Sequence, residues 1–379
     1  MTDSILTNAR VVLPGEVLEG SVVLRGGRIH EIMEGNVSSA ADDMEGDYLV
    51  PGLVELHTDH LENHYHPRPG VAWPAIPAVM AHDAQIAAAG ITTVFDALRA
   101  GTFDPGDLSA HHAKTLSAAI FDAQRQGRLR AEHFIHLRCE LPCPDTAEAA
   151  EGAAEAGPLH LISIMDHTPG ARQFVSIDKF KEYYIGKKIV RAELMDDYIA
   201  ERQDLQARHA APNKQAVLAL AARLGTRIAS HDDATEAHVE EAIADGVSIA
   251  EFPTTREAAQ AAHRNGIAVL MGAPNIVRGK SHSGNISAAE VAASGHLDVL
   301  SSDYVPSSLL SAVFRLAEST PGMTLPRAMR MVTLNPARAA GLDDRGAIEP
   351  RRRADLVQVR LSDGIPVVRR VWREGRRVM

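Results

Sequence analysis

Leu49-Val50-Pro51-Gly52-Leu53-Val54-Glu55-Leu56-His57-Thr58-Asp59-His60 is the stretch on which the reading of the fold turns. A short apolar run, Leu49–Leu56, gives way abruptly to histidine and carboxylate. Seven more such runs follow: Ile91–Phe95, His133–Leu137, Leu159–Met165, Thr226–Ala229, Val247–Phe252, Ile267–Met271 and Leu297–Leu300. Each is too short for a helix and long enough for a buried strand. Between several of them lie Ala-rich helical patterns, such as Asn213–Leu224, Thr235–Asp245 and Thr255–Arg264. Asp232 and Asp233 precede the second of these helices, and Thr254 and Thr255 the third, which are good residue types for helix starts. Eight strands alternating with helices predict an α/β fold, a (β/α)8 TIM-like barrel.

The two chain ends read differently. Near the N-terminus, Ile5–Val12, Ser21–Leu24 and Arg28–Ile32 are short alternating stretches punctuated by Pro14-Gly15 and Gly26-Gly27. Near the C-terminus, Asp355–Val359 and Val367–Trp372 repeat the pattern. A small β-sandwich built from both termini is expected, residues 1–50 and 341–379, around a barrel at 51–340. The segment Arg172–Lys188 fits no short βα loop, so an insertion near 170–190 is expected to cover the substrate.

Composition narrows the function. The 379 residues are 45% hydrophobic and 23% charged, with a net charge of −10. No basic patch points to nucleic acid, and no apolar run reaches the roughly 18 residues of a membrane span. Two cysteines, Cys139 and Cys143, make neither a disulfide framework nor a structural zinc set. The expected setting is the cytoplasm. Histidine is abundant, 18 residues against 8 Phe, 6 Tyr and 2 Trp, which invites a metal.

Active sites of such barrels sit at the C-terminal ends of the strands. There the chain offers His57 and Asp59, then Glu140, His167, His231 and Asp303. In a strand, residues i and i+2 face one side, so His57 and Asp59 can share the barrel mouth. Three imidazoles with three carboxylates suit one or two divalent metal ions, with Zn, Mn, Fe, Co and Ni all admissible. Glu140 is placed to bridge two cations. His60 points the other way by alternation, and His64, His66 and His82 fall in a loop or helix, so these four rank lower.

With those residues in view, the chain resembles the amidohydrolase superfamily along its whole length. The resemblance is carried by the split terminal sandwich, Val50-Pro51-Gly52-Leu53-Val54, the His-x-Asp, the late Asp303, Leu334-Asn335-Pro336-Ala337 and Ala354-Asp355-Leu356-Val357. Many members carry His-x-His on the first strand and a bridging lysine; here Asp59 and Glu140 stand instead. The two later histidines follow strands four and five, where many relatives use five and six. Narrower motifs resemble one branch, the diphosphatases of phosphonate utilisation in the carbon–phosphorus lyase pathway. They are Glu55–Glu62, Ile164-Met165-Asp166-His167-Thr168-Pro169-Gly170, Met271-Gly272-Ala273-Pro274-Asn275, Ser281-His282-Ser283-Gly284-Asn285 and Ser301-Ser302-Asp303-Tyr304.

That branch implies hydrolysis of α-D-ribose 1-methylphosphonate 5-triphosphate to the 5-phosphate and pyrophosphate. It also implies association with other enzymes of the phosphonate pathway. A homodimer is the expected assembly, the commonest among soluble proteins. A triphosphate needs local cations. Candidates are Arg172, Lys187 and Lys188 in the insertion, with Asn275, Arg278, Lys280, His282, Ser283 and Asn285 after strand seven. Asp303 is expected to be catalytic as well as a metal ligand, orienting the attacking water and accepting its proton. The competing reading is carbon–nitrogen hydrolysis, as a deacetylase, deaminase or cyclic amidase, which the same metal site would serve. A barrel that merely binds a partner gives no reason for this set of strand-end residues.

Overall fold

The computed structural model describes residues 3–37, 41–103, 112–173, 176–186, 190–279 and 285–379. The chain opens with β1 (Ser4–Val12), β2 (Val17–Arg25), β3 (Arg28–Glu34), β4 (Asp42–Asp43) and β5 (Tyr48–Pro51). The barrel follows as β6 (Leu53–Thr58), β7 (Ile91–Ala100), β8 (Glu132–Glu140), β9 (Leu159–Met165), β10 (Arg227–His231), β11 (Ile249–Glu251), β12 (Ala268–Gly272) and β13 (Val299–Ser301). The chain returns through β14 (Leu356–Ser362), β15 (Ile365–Arg373) and β16 (Arg376–Arg377).

The terminal strands form one sheet in the order β16-β15-β14-β5-β1-β2-β3, with β4 beside β1. Gly26 and Gly27, at φ +58° and +80°, join Arg25 to its partner Arg28, the left-handed pair that a two-residue hairpin demands. This sheet has its own apolar cluster, including Leu6, Val11, Val22, Met44, Leu356 and Trp372.

All eight predicted runs hold barrel strands, and they pair in chain order from β6 to β13, all parallel. The first run needs a correction. It is not one strand: Tyr48–Pro51 belongs to the terminal sheet, pairing with β1 and β14, and the barrel starts at Leu53. Gly52 makes the crossing, because a side chain there would run into Thr92 Oγ1. The ring closes where Thr58 bridges Asp303. Lower down, the Val54 and Leu300 amides donate to the Val332 and Met331 carbonyls, both at 2.9 Å. Inside, Val54, Leu56, Phe95, Leu161, Ala229, Ile249, Leu270 and Val299 pack a dry centre, one residue from nearly every strand.

Of the two expected helix starts, one shifts and one holds. Thr235, not Asp232 or Asp233, caps Glu236–Ala244 by accepting from the His238 amide at 3.2 Å. Thr255 caps Arg256–Arg264 in the same way. The predicted helix at Asn213–Leu224 is the last part of a longer one, Met195–Leu224. Asn213 ties that helix to the Leu141 and Cys143 carbonyls at 2.9 and 2.8 Å. The predicted insertion holds the helix Ile177–Gly186, whose Phe180 packs with Met195 and Ile199. Among the described residues no helix is long and apolar enough to cross a membrane.

Candidate active site

Glu251, the last residue of β11, is the hub of the barrel mouth. It is fully buried, and its carboxylate accepts from His57 Nδ1 at 2.9 Å, Ser163 Oγ at 2.7 Å and His231 Nδ1 at 3.1 Å. Against the cost of burial, His57 and His136 hold its carboxyl well below the ordinary carboxylate range. His57 lies near the end of β6 and His231 at the end of β10, strands on opposite sides of the ring, and the two side chains meet across the mouth with their rings 5.6 Å apart in a stack. Burial pushes His57 down, and pushes His136 down to about 3. By taking the Nδ1 proton of His57 and of His231, Glu251 leaves both Nε2 lone pairs facing outward. This is how carboxylates orient metal-binding imidazoles.

His167 and Asp232 complete the cluster. Asp232 follows β10 at φ +56°, a left-handed turn that aspartate tolerates better than most residues. That turn brings its Oδ2 to 3.5 Å from His167 Nε2 and 3.7 Å from His231 Nε2. This oxygen is buried and has no hydrogen-bond partner. Leaving a carboxylate oxygen in that state is expensive. Two ligands about 2.1 Å from a tetrahedral ion sit about 3.4 Å apart, close to the distances seen. The donor set therefore fits a divalent cation of the imidazole-preferring kind.

Glu140, the last residue of β8, accepts from both the amide and Nδ1 of His167, at 2.9 and 2.5 Å. Burial opposes its charge, yet His167 brings its carboxyl down to about 2. Glu140 therefore grips His167 with both oxygens in this structure.

Asp59 and Asp303 form a second group at the seam where β13 meets β6. Asp59 pairs with Arg138 at 3.4 Å, and its amide reaches the Asp303 carbonyl at 3.3 Å. Burial first, then the Asp59 carboxylate, pushes Asp303 up to about 7. Asp303 does not cap the next helix, Ser308–Ser319, which starts after Ser307. The seam itself is latched by buried Glu55, which accepts from the Ser302 amide at 2.5 Å and Ser301 Oγ at 2.8 Å.

The expected substrate residues divide. Arg172 pairs with buried Asp233, and with Glu241 at 2.7 Å. Asn275 Oδ1 accepts from the Ala288 amide at 3.2 Å. Arg278 ends the helix Ala273–Arg278 and is exposed, and Asn285 is half-buried. Lys187, Lys188, Lys280, His282 and Ser283 lie outside the described residues.

Sequence reasoning missed Glu251, Asp232 and Ser163 in the cluster. Glu251 carried a signal, being the one charged residue inside its own apolar run, Val247–Phe252. It also missed Arg99 and Arg202. Arg99, at the end of β7, acts electrostatically on Glu140. Arg202 stacks its guanidinium 3.9 Å over the Phe103 ring, and its Nε and Nη1 are buried without partners.

Residues 48–378 match the model of the amidohydrolase family. The chain is 47% identical over 376 residues to the α-D-ribose 1-methylphosphonate 5-triphosphate diphosphatase of Escherichia coli K12, covering 99% of this chain and 100% of that one. Among solved structures it resembles a 5-methylcytosine deaminase from Klebsiella pneumoniae (TM-score 0.65, 16% identity, 99% and 98% of the two chains covered). It also resembles the N-acetyl-D-glucosamine-6-phosphate deacetylase of Mycobacterium smegmatis (TM-score 0.64, 18% identity, both chains covered in full). The two solved structures share its fold over nearly the whole chain, and with the family model matched across residues 48–378 the chain belongs to the amidohydrolase family.

Proposed function

We infer that the chain hydrolyses α-D-ribose 1-methylphosphonate 5-triphosphate at the α–β anhydride, leaving the 5-phosphate and releasing pyrophosphate. The observation that carries this is the 47% identity, over 99% of the chain, to a diphosphatase of that specificity. The catalytic unit is the barrel, residues 51–340.

Within it, His57, His167, His231 and Asp232 would hold a divalent ion, with Asp59, Glu140 and Asp303 beside it as further oxygen donors. When bound, such an ion polarises the phosphoryl group and lowers the pKa of water. Asp303 orients the attacking water and takes its proton, a role that suits a carboxyl pushed up to about 7. Arg99, Arg202 and Arg278, with residues of the stretch 279–285, meet the triphosphate charge. Arg202 is the best placed of these, because its buried N–H groups lack acceptors that phosphate oxygens would supply. Zn and Mn lead the metals to be tried, and a homodimer in the cytoplasm is the working state.

Phosphorus NMR of the metal-loaded enzyme tests the reading, with ATP in parallel. Pyrophosphate from the ribose methylphosphonate substrate, and little from ATP, is the expected result. Orthophosphate would move attack to the terminal phosphorus. Absence of any phosphorus product, with metal bound, would overturn the reading and turn the search to amide or amidine substrates.

A further inference from the structure

His60, His64 and His82 lie outside the cluster of the barrel mouth, and their rings face one another. Ring centroids are 5.1 Å apart for His60 and His64, 5.9 Å for His60 and His82, and 5.9 Å for His64 and His82. One nitrogen of each ring is sealed from solvent and bonded to nothing: His60 Nε2, His64 Nε2 and His82 Nδ1. A buried nitrogen without a partner costs about 1–3 kcal/mol. Three of them on three neighbouring rings add up to a substantial cost, which a common partner would remove. A single cation satisfies all three at once.

The spacing fits such an ion. With a metal–nitrogen bond of about 2.1 Å, imidazole centroids stand about 3.2 Å from the ion, hence about 5.3 Å apart in a tetrahedron and about 5.6 Å in a trigonal plane. The observed separations bracket those values. The backbone explains how the rings meet. His60 immediately precedes the helix Leu61–Tyr65, and i, i+4 spacing sets His64 on the same face. His82 comes across from the helix Ala75–Ala88.

The far side of His82 is prepared as metal ligands usually are. Its Nε2 lies 2.8 Å from Asp96 Oδ1, so the ring proton goes to the carboxylate and Nδ1 keeps its lone pair. Asp96 is in turn held by His133 Nδ1 at 2.7 Å. His60 has a contact at the limit of hydrogen bonding, 3.5 Å from Asn63 to its Nδ1, which leaves its Nε2 unengaged. His66 takes no part, because its ring stacks on His112.

We propose that His60, His64 and His82 form a second metal site, distinct from the barrel mouth, for a divalent ion of the zinc, cobalt or nickel kind. Three neutral imidazoles without a carboxylate suit such an ion and not magnesium or calcium. Bound there, it staples the loop after β6 to the helix Ala75–Ala88 and so steadies His57 and Asp59. Its role is structural.

The test counts ions. Full-length protein, stripped of metal, is titrated with cobalt(II), and bound equivalents are measured after gel filtration. Wild type is expected to hold one equivalent more than His64→Ala. Its visible spectrum is expected to contain tetrahedral-type cobalt bands that the variant lacks. His60→Ala, at a half-exposed position, gives the same loss of one equivalent, which guards against misfolding of either variant alone. Zinc is expected to raise the melting temperature of wild type by more than that of either variant. Equal equivalents in wild type and both variants, with far-ultraviolet circular dichroism unchanged, would overturn the proposal. The count is independent of turnover, so failure here leaves the diphosphatase reading standing.

Discussion

Behind β7 and β8, His82, Asp96, His133 and Asp83 form one assembly of imidazole and carboxylate; at the barrel mouth, His57, Glu251, His231, His167 and Asp232 form another. The residue types are the same, and both groups sit at or near zero exposure for most members. They differ in what is left unmatched. Asp96 gives one oxygen to His82 and one to His133. Asp83 accepts from the Arg130 and Ala131 amides and from the Arg130 side chain. Both carboxylates are satisfied, and with Asp96 and Asp83 on either side His133 is pushed up to about 9 despite its burial. At the mouth, Asp232 Oδ2 has no partner while two ring nitrogens face it. Histidine and carboxylate in contact therefore do not make a site. An unmatched atom aimed at a common point does, and by that criterion the closed assembly has one opening, His82 Nδ1.

The sharpest way to break the comparison is Asp96→Leu. If the closed assembly is structural, stability falls by about 3–5 kcal/mol, because a buried His133 charge loses a partner. Urea unfolding measures this. A loss under 1 kcal/mol would mean the network is not holding the wall. Asp303→Asn is expected to lower kcat by about 10²- to 10⁴-fold while metal content stays at the wild-type level. Full activity would remove Asp303 from the chemistry. A smaller change is expected from Glu251→Gln, since it weakens the orientation of His57 and His231 without removing a ligand: about 10- to 100-fold in metal affinity or activity. Calorimetric titration with zinc reads it, and unchanged affinity would contradict the hub role.

The smallest effect sharpens the contrast between charged and neutral buried histidines. His160, against Phe134, is pushed down to about 4 by burial, with Glu132 opposing. Folding therefore favours its neutral form. The stability that form contributes is present above the ordinary histidine pKa and is lost as pH falls from about 6.5 through 4. His160→Gln should make the stability–pH curve shallower in that window, by up to one proton. An unchanged slope would show that His160 titrates alike in both states.

How much of this was legible in the chain follows from the range of each interaction. Strand order was, because each barrel strand announces itself by a run of apolar residues that must be buried on both faces. The split at Gly52 was not, since Val50 and Val54 look alike in sequence and part company only through their strand partners, at a point where Thr92 and Asp355 leave no room for a side chain. That His57, His167 and His231 meet at the barrel mouth was readable because strand ends in a barrel converge. Glu251 and Asp232 were harder. The role of Glu251 depends on β11 lying beside β10, and that of Asp232 on a left-handed residue that turns its carboxylate inward.

Local pattern and burial, then, determined from sequence alone that eight strands close a barrel with histidines and carboxylates gathered at one end, and a sheet shared by both termini. Tertiary structure alone decided which polar atoms are left over. Hydrogen bonds such as Glu251 to His57 span 194 residues, and whether an oxygen or nitrogen finds a partner depends on every segment that folds against it. Unmatched atoms at Asp232, Arg202 and the His60–His64–His82 trio exist only once the chain has closed.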